Sequence, residues 1–417
     1  MPMAMSCGID WSEDHHDVAV VDTNGHLVAK RRIGDDAAGF GRLLELLAEA
    51  GDRPETPIPV AIETARGLLV ACLRATGRPV YAINPLAVAR YRERHAVSGK
   101  KSDHADAVVL ANILRTDRAA HRPLPADSEL VRAIAVLARA QQDAVWDRTQ
   151  AHHKLRSLLR EYYPGFLAAF GDLRGGILRP EARALLAATP TPADAARLTP
   201  PELVGLLRQA GRQRRLATHA ARLHQVFAAP CLRQPPLVER AMGRHALALL
   251  GALNTACANA DELATATRQA FDQHPDANII TSFAGLGQLT GARVLAELGD
   301  DRSRFAAAKA VKAYAGAAPV TRASGKSLHV SHRRVKNQRL ATAGYQWAFA
   351  ALTASPGAHA HYQRRRAAGD AHPAALRNLF NRLLGCLHHC LQTRQPYQEH
   401  AAFIHLNGTN GRPRLDA

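Results

Sequence analysis

Aromatic residues are scarce: Phe, Trp and Tyr together make up 5% of the 417 residues. With 47% apolar and 22% charged residues, and few β-branched residues after the first 85 positions, the chain reads as globular, soluble and helix-rich. Its length exceeds one ordinary domain, so two or three domains with their own cores are expected. Six cysteines (Cys7, Cys72, Cys231, Cys257, Cys386 and Cys390) are too few for a disulfide framework and suit a reducing cytoplasm. No run reaches the roughly 18 uninterrupted apolar residues of a bilayer span, so no transmembrane helix is expected. The start, MPMAMSCGID, lacks the charged-then-apolar pattern of a secretory signal. The most informative shortage is acid. Asp and Glu number 36 against 54 Lys and Arg, for a formal charge of +18 and a pI near 10.3. Such an excess implies a polyanionic partner, nucleic acid before a membrane surface.

The excess is local. Residues 1–125 hold 16 Lys/Arg and 16 Asp/Glu and are neutral. Residues 126–417 hold the other 38 basic and 20 acidic residues. From Arg302 to Gly369 there are 13 Lys/Arg and no Asp or Glu. A solvated helical face mixes signs, because like charges one turn apart repel. An acid-free span of this length is better explained by phosphate contacts, with salt-dependent binding.

Residues 5–33 alternate as strands do: SCGIDWS, HDVAVVD, a TNG turn, then HLVAKRRI. GFGRLLELLAEAG is an amphipathic helix ended by glycine. IPVAIET is a fourth strand, ARGLLVACLRATG a helix and PVYAIN a fifth strand. A three-strand meander followed by βαβ units predicts a mixed α/β sheet of ribonuclease H-like (RuvC-like) order over residues 1–126. A long helix is predicted over about 127–162, ended at YYPGF. Helical pieces broken by TPTP, LTPPE and RQPP follow to 275, an all-α insertion or coiled-coil arm. Residues 276–417 open with two helices around Gly285 and Gly287, a helix-hairpin-helix pattern whose N–H groups can hold a phosphate. In GCLHHC, Cys386 and Cys390 share a helix face beside His389, but no second cluster completes a zinc site; buried helix cysteines are expected.

Four carboxylates carry the chemistry. Asp10 ends the first strand and Glu63 the fourth, and those strands are neighbours in the predicted sheet. Asp103 and Asp106 in KKSDHADA lie three apart on one helix face. Converging, they would repel unless a cation sat among them, and an oxygen-rich cluster suits Mg²⁺ or Mn²⁺. Two such ions activate a nucleophile and stabilise the leaving oxygen of a phosphodiester. Lys100 and Lys101 stand where a scissile phosphate would approach.

These features resemble a family. GIDWS with Asp10, AIET with Glu63, and Asp103 and Asp106 match the four-acid pattern of DEDD-type insertion-sequence transposases, a group that includes the Piv-type DNA invertases and some members guided by a bridge RNA. FAGLGQLTGARVLAELGD, RFAAAKAVKAYAGAAPVTRASGKS and HVSHRRVKNQRL look like that group's C-terminal domain. The likeness covers roughly 1–165 and 277–395. It implies a serine nucleophile, which falls on Ser324 in TRASGKS, where Ala323 replaces the polar amide usual in the family. The hydroxyl beside Gly325 is accessible, and Arg322, Lys326 and Arg333 are placed to stabilise phosphoryl oxygens. Arg334, Lys336 and Arg339 extend the basic DNA-binding surface. The resemblance further implies covalent cutting and rejoining of DNA, and a homo-oligomer, dimer or tetramer. In it the acids of one subunit complete the serine site of another, with the arm as assembly element. A structured guide RNA would bind through shape and phosphates. The rival reading is a metal-dependent junction-resolving nuclease using only the four acids. Tyr162, Tyr163 and Tyr314 are read as packing residues, which sets a tyrosine recombinase aside.

Overall fold

The computed structural model describes residues 5–95, 103–325 and 327–403. Alternation at the start of the chain produces β1 (Ser6–Trp11), β2 (His15–Val21) and β3 (Leu27–Gly34), an antiparallel meander. Helix α1 (Ala37–Glu49) follows, its N-terminus capped by Asp36, whose carboxylate accepts from Gly39 N at 2.6 Å. Then come β4 (Val60–Ile62), α2 (Leu68–Ala75) and β5 (Val80–Ala82). Parallel pairing of β4 with β1 and of β5 with β4 gives the order β3-β2-β1-β4-β5. These strand directions and neighbours are those expected from the sequence.

Period-two alternation sends the two sides of each strand to different cores. Cys7, Ile9, Val60 and Ile62 face Leu43, Leu46 and Leu47 of α1 and Leu69, Val70 and Leu73 of α2. Ala61 and Tyr81 face the other way, toward Val88 of α3 (Pro85–His95) and Leu110, Ile113 and Leu114 of α4 (Asp103–Asp117). One compact unit ends at Ala126 and a second runs from Asp127.

The second unit contains two cores joined by two long helices. α5 (Glu129–Tyr162) starts at Ser128, whose hydroxyl accepts from Val131 N at 3.2 Å. α6 (Pro164–Gly171), α7 (Pro180–Ala188), α8 (Pro192–Ala195), α9 (Pro200–Gln209) and α10 (Leu216–Ala228) follow, and α11 (Pro236–Asp272) returns. Of the prolines that looked like breaks, Pro192, Pro200, Pro201 and Pro236 sit in the first turn of a helix, as does Pro164 after α5, where no N–H is needed. The end of α5 (Leu155, Leu159, Tyr162) packs with Ala246 and Leu250 of α11, and its start (Val131, Ile134) with Phe271. The two helices are therefore antiparallel, an arm with a core at each end.

The core around Phe271 also takes in α12 (Ala277–Thr281), α13 (Gln288–Leu298), α14 (Ala308–Tyr314), α15 (Gln338–Ala354), α16 (Pro356–Ala367), α17 (His372–Thr393) and α18 (Glu399–Ala402). Trp347 is its largest fully buried side chain. Between α14 and α15 the chain makes a two-stranded ribbon, β6 (Val320–Ser324) and β7 (Ser327–Ser331), two strands beyond the five expected from the sequence. No helix among the described residues is long and apolar enough to cross a membrane.

Candidate active site

The register of β1 against β4 places the first two acids. Ile9 pairs with Ile62, so Asp10 and Glu63, one residue further on, leave neighbouring parallel strands at the same level. Both lie on the face that carries Gly8 and Ala61. Helix α4 covers that face. A Cβ at Gly8 would lie 2.1 Å from Ala107 O and 2.4 Å from Ala111 N, so only glycine lets the helix backbone come this close. The far end of α4 meets the β2–β3 turn, where Asn112 and Arg115 surround Gly25. Val21 next to that turn pairs with Ser6, so α4 runs antiparallel to β1. Its first turn, with Asp103 and Asp106, is thus carried toward the Asp10 end of the strand.

One neighbour of this cluster was not foreseen. Asp17 pairs with Asp10 across β1 and β2 and is 1% exposed. Arg32, opposite it on β3, donates to both of its oxygens at 3.1 and 2.7 Å. A row of Glu63, Asp10, Asp17 and Arg32 therefore crosses four strands on one face. Cross-strand pairing could have revealed it, since HDVAVVD and HLVAKRRI put Asp17 and Arg32 at matching positions.

Asp106 departs from expectation. It is buried and paired with Arg92 of α3, so a guanidinium and not three carboxylates is its described partner. An ion held there must compete with that arginine. The Arg92 Nε is itself buried without a hydrogen-bond partner, so the arginine is only partly committed. Asp103 opens α4 but its side chain, like Lys100, Lys101 and Lys326, lies outside the described residues. Among the described residues, no three His, Cys, Asp or Glu side chains are grouped to hold a metal. Asp10, Glu63 and Asp106 nevertheless supply carboxylate oxygens from one end of one face, the donor chemistry that hard divalent cations take.

The serine sits differently. Ser324 pairs with Ser327 at the tip of the ribbon, beside Gly325 at φ +54° with open space around it. The hydroxyl is exposed. Arg322, across from His329, is on the same ribbon face and also exposed, as is Arg334.

The feet of the ribbon are pinned by a half-buried polar network centred on the buried Glu297. Asn337 N donates to Tyr314 O at 2.8 Å. The Asn337 amide donates to Glu297 at 2.7 Å and to the Tyr314 hydroxyl at 2.7 Å. Arg139 donates to both Glu297 oxygens at 2.7 and 3.1 Å, which raises its own pKa, and Arg304 reaches the Tyr314 hydroxyl at 3.2 Å. Tyr314 is thus more than packing. Tyr162 and Tyr163 lie in the arm core, where burial pushes both phenols up. Neither suits a nucleophile.

Other expected contacts turn inward. Arg339 donates to both Asp143 oxygens at 2.8 and 2.9 Å and lies over the Trp146 ring at 5.1 Å. The Lys336 stem covers Gly316. Gly285, at φ +78°, is against the Ala350–Ala351 backbone, where a Cβ would meet Ala351 N at 2.5 Å; packing explains this glycine without a phosphate. Gly287 caps α13 and is exposed, but the adjacent Gln288 amide holds the Asp272 carboxylate at 2.8 and 2.9 Å. An acid already occupies that end. Arg333 is half-buried and its Nε has no hydrogen-bond partner. Cys390 is buried and Cys386 half-buried, both on α17, as expected of helix cysteines.

Acids on a mixed sheet in one unit, and an exposed serine in a second, basic unit, define a class that comparison with known proteins makes specific. A family model of DEDD transposases of the IS110 type matches residues 7–164, from β1 to the end of α5. A second, described as the IS116/IS110/IS902 transposase family, matches residues 277–363, which include the ribbon. The chain is 61% identical over 404 residues to a Streptomyces coelicolor protein named as the mini-circle transposase for IS117, covering 97% of this chain and 98% of that one. It is 30% identical over 389 residues to the IS116 44.8 kDa protein of Streptomyces clavuligerus, covering 91% and 92%. With the IS900 42 kDa protein of Mycobacterium paratuberculosis it shares 27% identity over 401 residues, covering 95% and 98%. The chain belongs to the IS110-type insertion-sequence transposase family, enzymes that cut and rejoin DNA.

Proposed function

We propose that residues 1–126 form a ribonuclease H-like catalytic domain, in which Asp10, Glu63, Asp103 and Asp106 act together, and that Ser324 is the nucleophile. The observation that supports this most is the register that brings Asp10 and Glu63 to one level under the first turn of α4. A bound Mg²⁺ or Mn²⁺ would neutralise these carboxylates and offset charge on the phosphoryl oxygens. Ser324 Oγ forms a bond to phosphorus as a P–O bond to a deoxyribose oxygen breaks. The serine proton leaves to a base or water, and the departing oxygen takes one up. Arg322 and Arg334, together with Lys326, hold the phosphate for in-line attack. Asp17, already neutralised by Arg32, keeps Arg32 against the acid row and serves as a structural acid. Lys100 and Lys101 contact the DNA backbone.

In this reading the protein is a cytoplasmic homo-oligomer, dimer or tetramer. The acids of one subunit complete the serine site of another, and the arm of α5 and α11 assembles the subunits. A structured RNA is a fitting guide, because residues 126–417 carry 38 basic against 20 acidic residues. Mixing two inactive variants tests the composite site. Asp10→Asn and Ser324→Ala proteins should each fail to cut a plasmid bearing the element's ends, and together should recover part of the activity. No recovery on mixing, with both variants folded and still associating, would show that each subunit uses its own acids and serine.

A further inference from the structure

The ribbon has two unlike faces, and its function as a serine carrier uses only one. Register puts Val320, Arg322, Ser324, Ser327, His329 and Ser331 on one side. The other side carries Thr321 paired with Val330 and Ala323 paired with Leu328. Leu328 is 69% and Val330 57% exposed. A two-stranded ribbon is marginal by itself, yet this one stands clear of the core with its apolar face uncovered. Its fixed feet at Tyr314 and Asn337 hold that face in a defined direction.

The charge around the ribbon selects the occupant. The whole span from Arg302 to Gly369 contains no carboxylate, and the ribbon and its exit carry Arg322, Arg333 and Arg334. A protein surface matched to this face would need acids around an apolar patch. A DNA groove offers both phosphate walls and an apolar floor feature, the thymine methyl. The B-form major groove, about 12 Å wide, admits a two-stranded ribbon, whereas the A-form RNA major groove is too narrow for side chains to read. A five-residue strand is about 17 Å long. Laid across the groove with its apolar face on the floor, a ribbon of that length brings its tip to a sugar–phosphate wall, and Ser324, on the opposite face, then stands at the level of the phosphate rim.

We propose that Leu328 and Val330, with the Thr321 methyl, contact base edges in the DNA major groove, thymine methyls above all, and so set where Ser324 meets the backbone. This rests on the DNA-cutting reading above. It is tested by equilibrium binding of the full-length protein to a labelled random-sequence DNA duplex, and to the same duplex made with deoxyuridine for thymidine, across a salt series. The parent should bind the deoxyuridine duplex several-fold more weakly, with an unchanged salt slope. Leu328→Asn with Val330→Thr should bind the thymidine duplex roughly tenfold more weakly, again at unchanged slope, and should no longer distinguish the two duplexes. Arg334→Ala should instead lower the slope by about one. A parent indifferent to deoxyuridine overturns the proposal, and so does a double variant that binds as tightly as the parent. Weaker self-association of the double variant with intact DNA binding would assign the face to a second copy and overturn it equally. A parent that binds no DNA, even with the RNA that co-purifies with it restored, would sink the underlying reading as well. One that cuts DNA in an Asp10-dependent way yet ignores deoxyuridine would sink this inference alone.

Discussion

The two halves of the proposed chemistry are positioned by opposite means. The acids are fixed by backbone. Asp10 and Glu63 are placed by ladder register, and Asp106 by a helix that approaches within contact distance of Gly8. Ser324 is at the exposed end of a ribbon held at its base through Asn337, Tyr314, Glu297 and Arg139. A metal site needs oxygens held to within fractions of an ångström, and a packed sheet provides that. A nucleophile that must enter another molecule's groove needs reach, and an exposed hairpin provides that. The difference suggests that damage to the first unit should be all-or-none, and damage to the ribbon graded.

Gly8→Ala is the largest expected effect. The new methyl meets backbone atoms of Ala107 and Ala111, which cannot rotate away, so the cost should be about 3 kcal/mol or more. Thermal unfolding should show the loss, and cleavage should vanish with it. An alanine variant of normal stability and activity would mean that α4 does not lie on β1 as described.

Acid should act next, on the arm. His219 of α10 is 6% exposed in the arm core, and burial, with Arg212 and Arg222 nearby, pushes its pKa down from 6.5 to about 4. The folded state keeps the ring neutral, while the unfolded chain takes up a proton below pH 6.5. Stability is therefore full above about 6.5, falls as pH drops toward 4, and levels off below that, by about 3 kcal/mol at most. Comparing thermal melts at pH 7.5 and 5, the parent should lose more stability than His219→Gln. Equal losses would remove His219 from the explanation.

Asn337→Ala should have the smallest effect of the three, about 1–3 kcal/mol, from the donors lost to Glu297 and Tyr314 and the lost cap on α15. Cleavage should slow about tenfold while DNA affinity changes little, because the ribbon stays present but loosely aimed. Asn337→Ser keeps a cap and not the clamp, so a rate loss shared with alanine belongs to the clamp. Full activity in both would show that the ribbon's feet need no such fixing.

How much of this was legible in the sequence follows the same division. The five strands and their order were readable because short apolar alternations and Gly/Asn turns bound them, and the level shared by Asp10 and Glu63 followed from strand ends. The ribbon was not. TRASGKSLHV has both faces in water, so the contrast between a buried and an exposed side that marks a strand is weak there. Long-range pairing was equally hidden. Counting charges assigned Arg339 to DNA, but Asp143, far back in α5, holds it. Likewise nothing local announced that Arg92 would answer Asp106. Gly285 shows the converse, a glycine that looked like a phosphate cradle and is explained by its close approach to α15.

The most direct test of the central claim is a search for covalent attachment. Labelled DNA carrying the element's ends would be incubated with protein and Mg²⁺, then resolved under denaturing conditions. Labelled protein is expected with the parent chain, none with Ser324→Ala, and little with Asp10→Asn. A labelled band of equal yield from Ser324→Ala, or efficient cleavage with no protein-linked DNA at all, would contradict it.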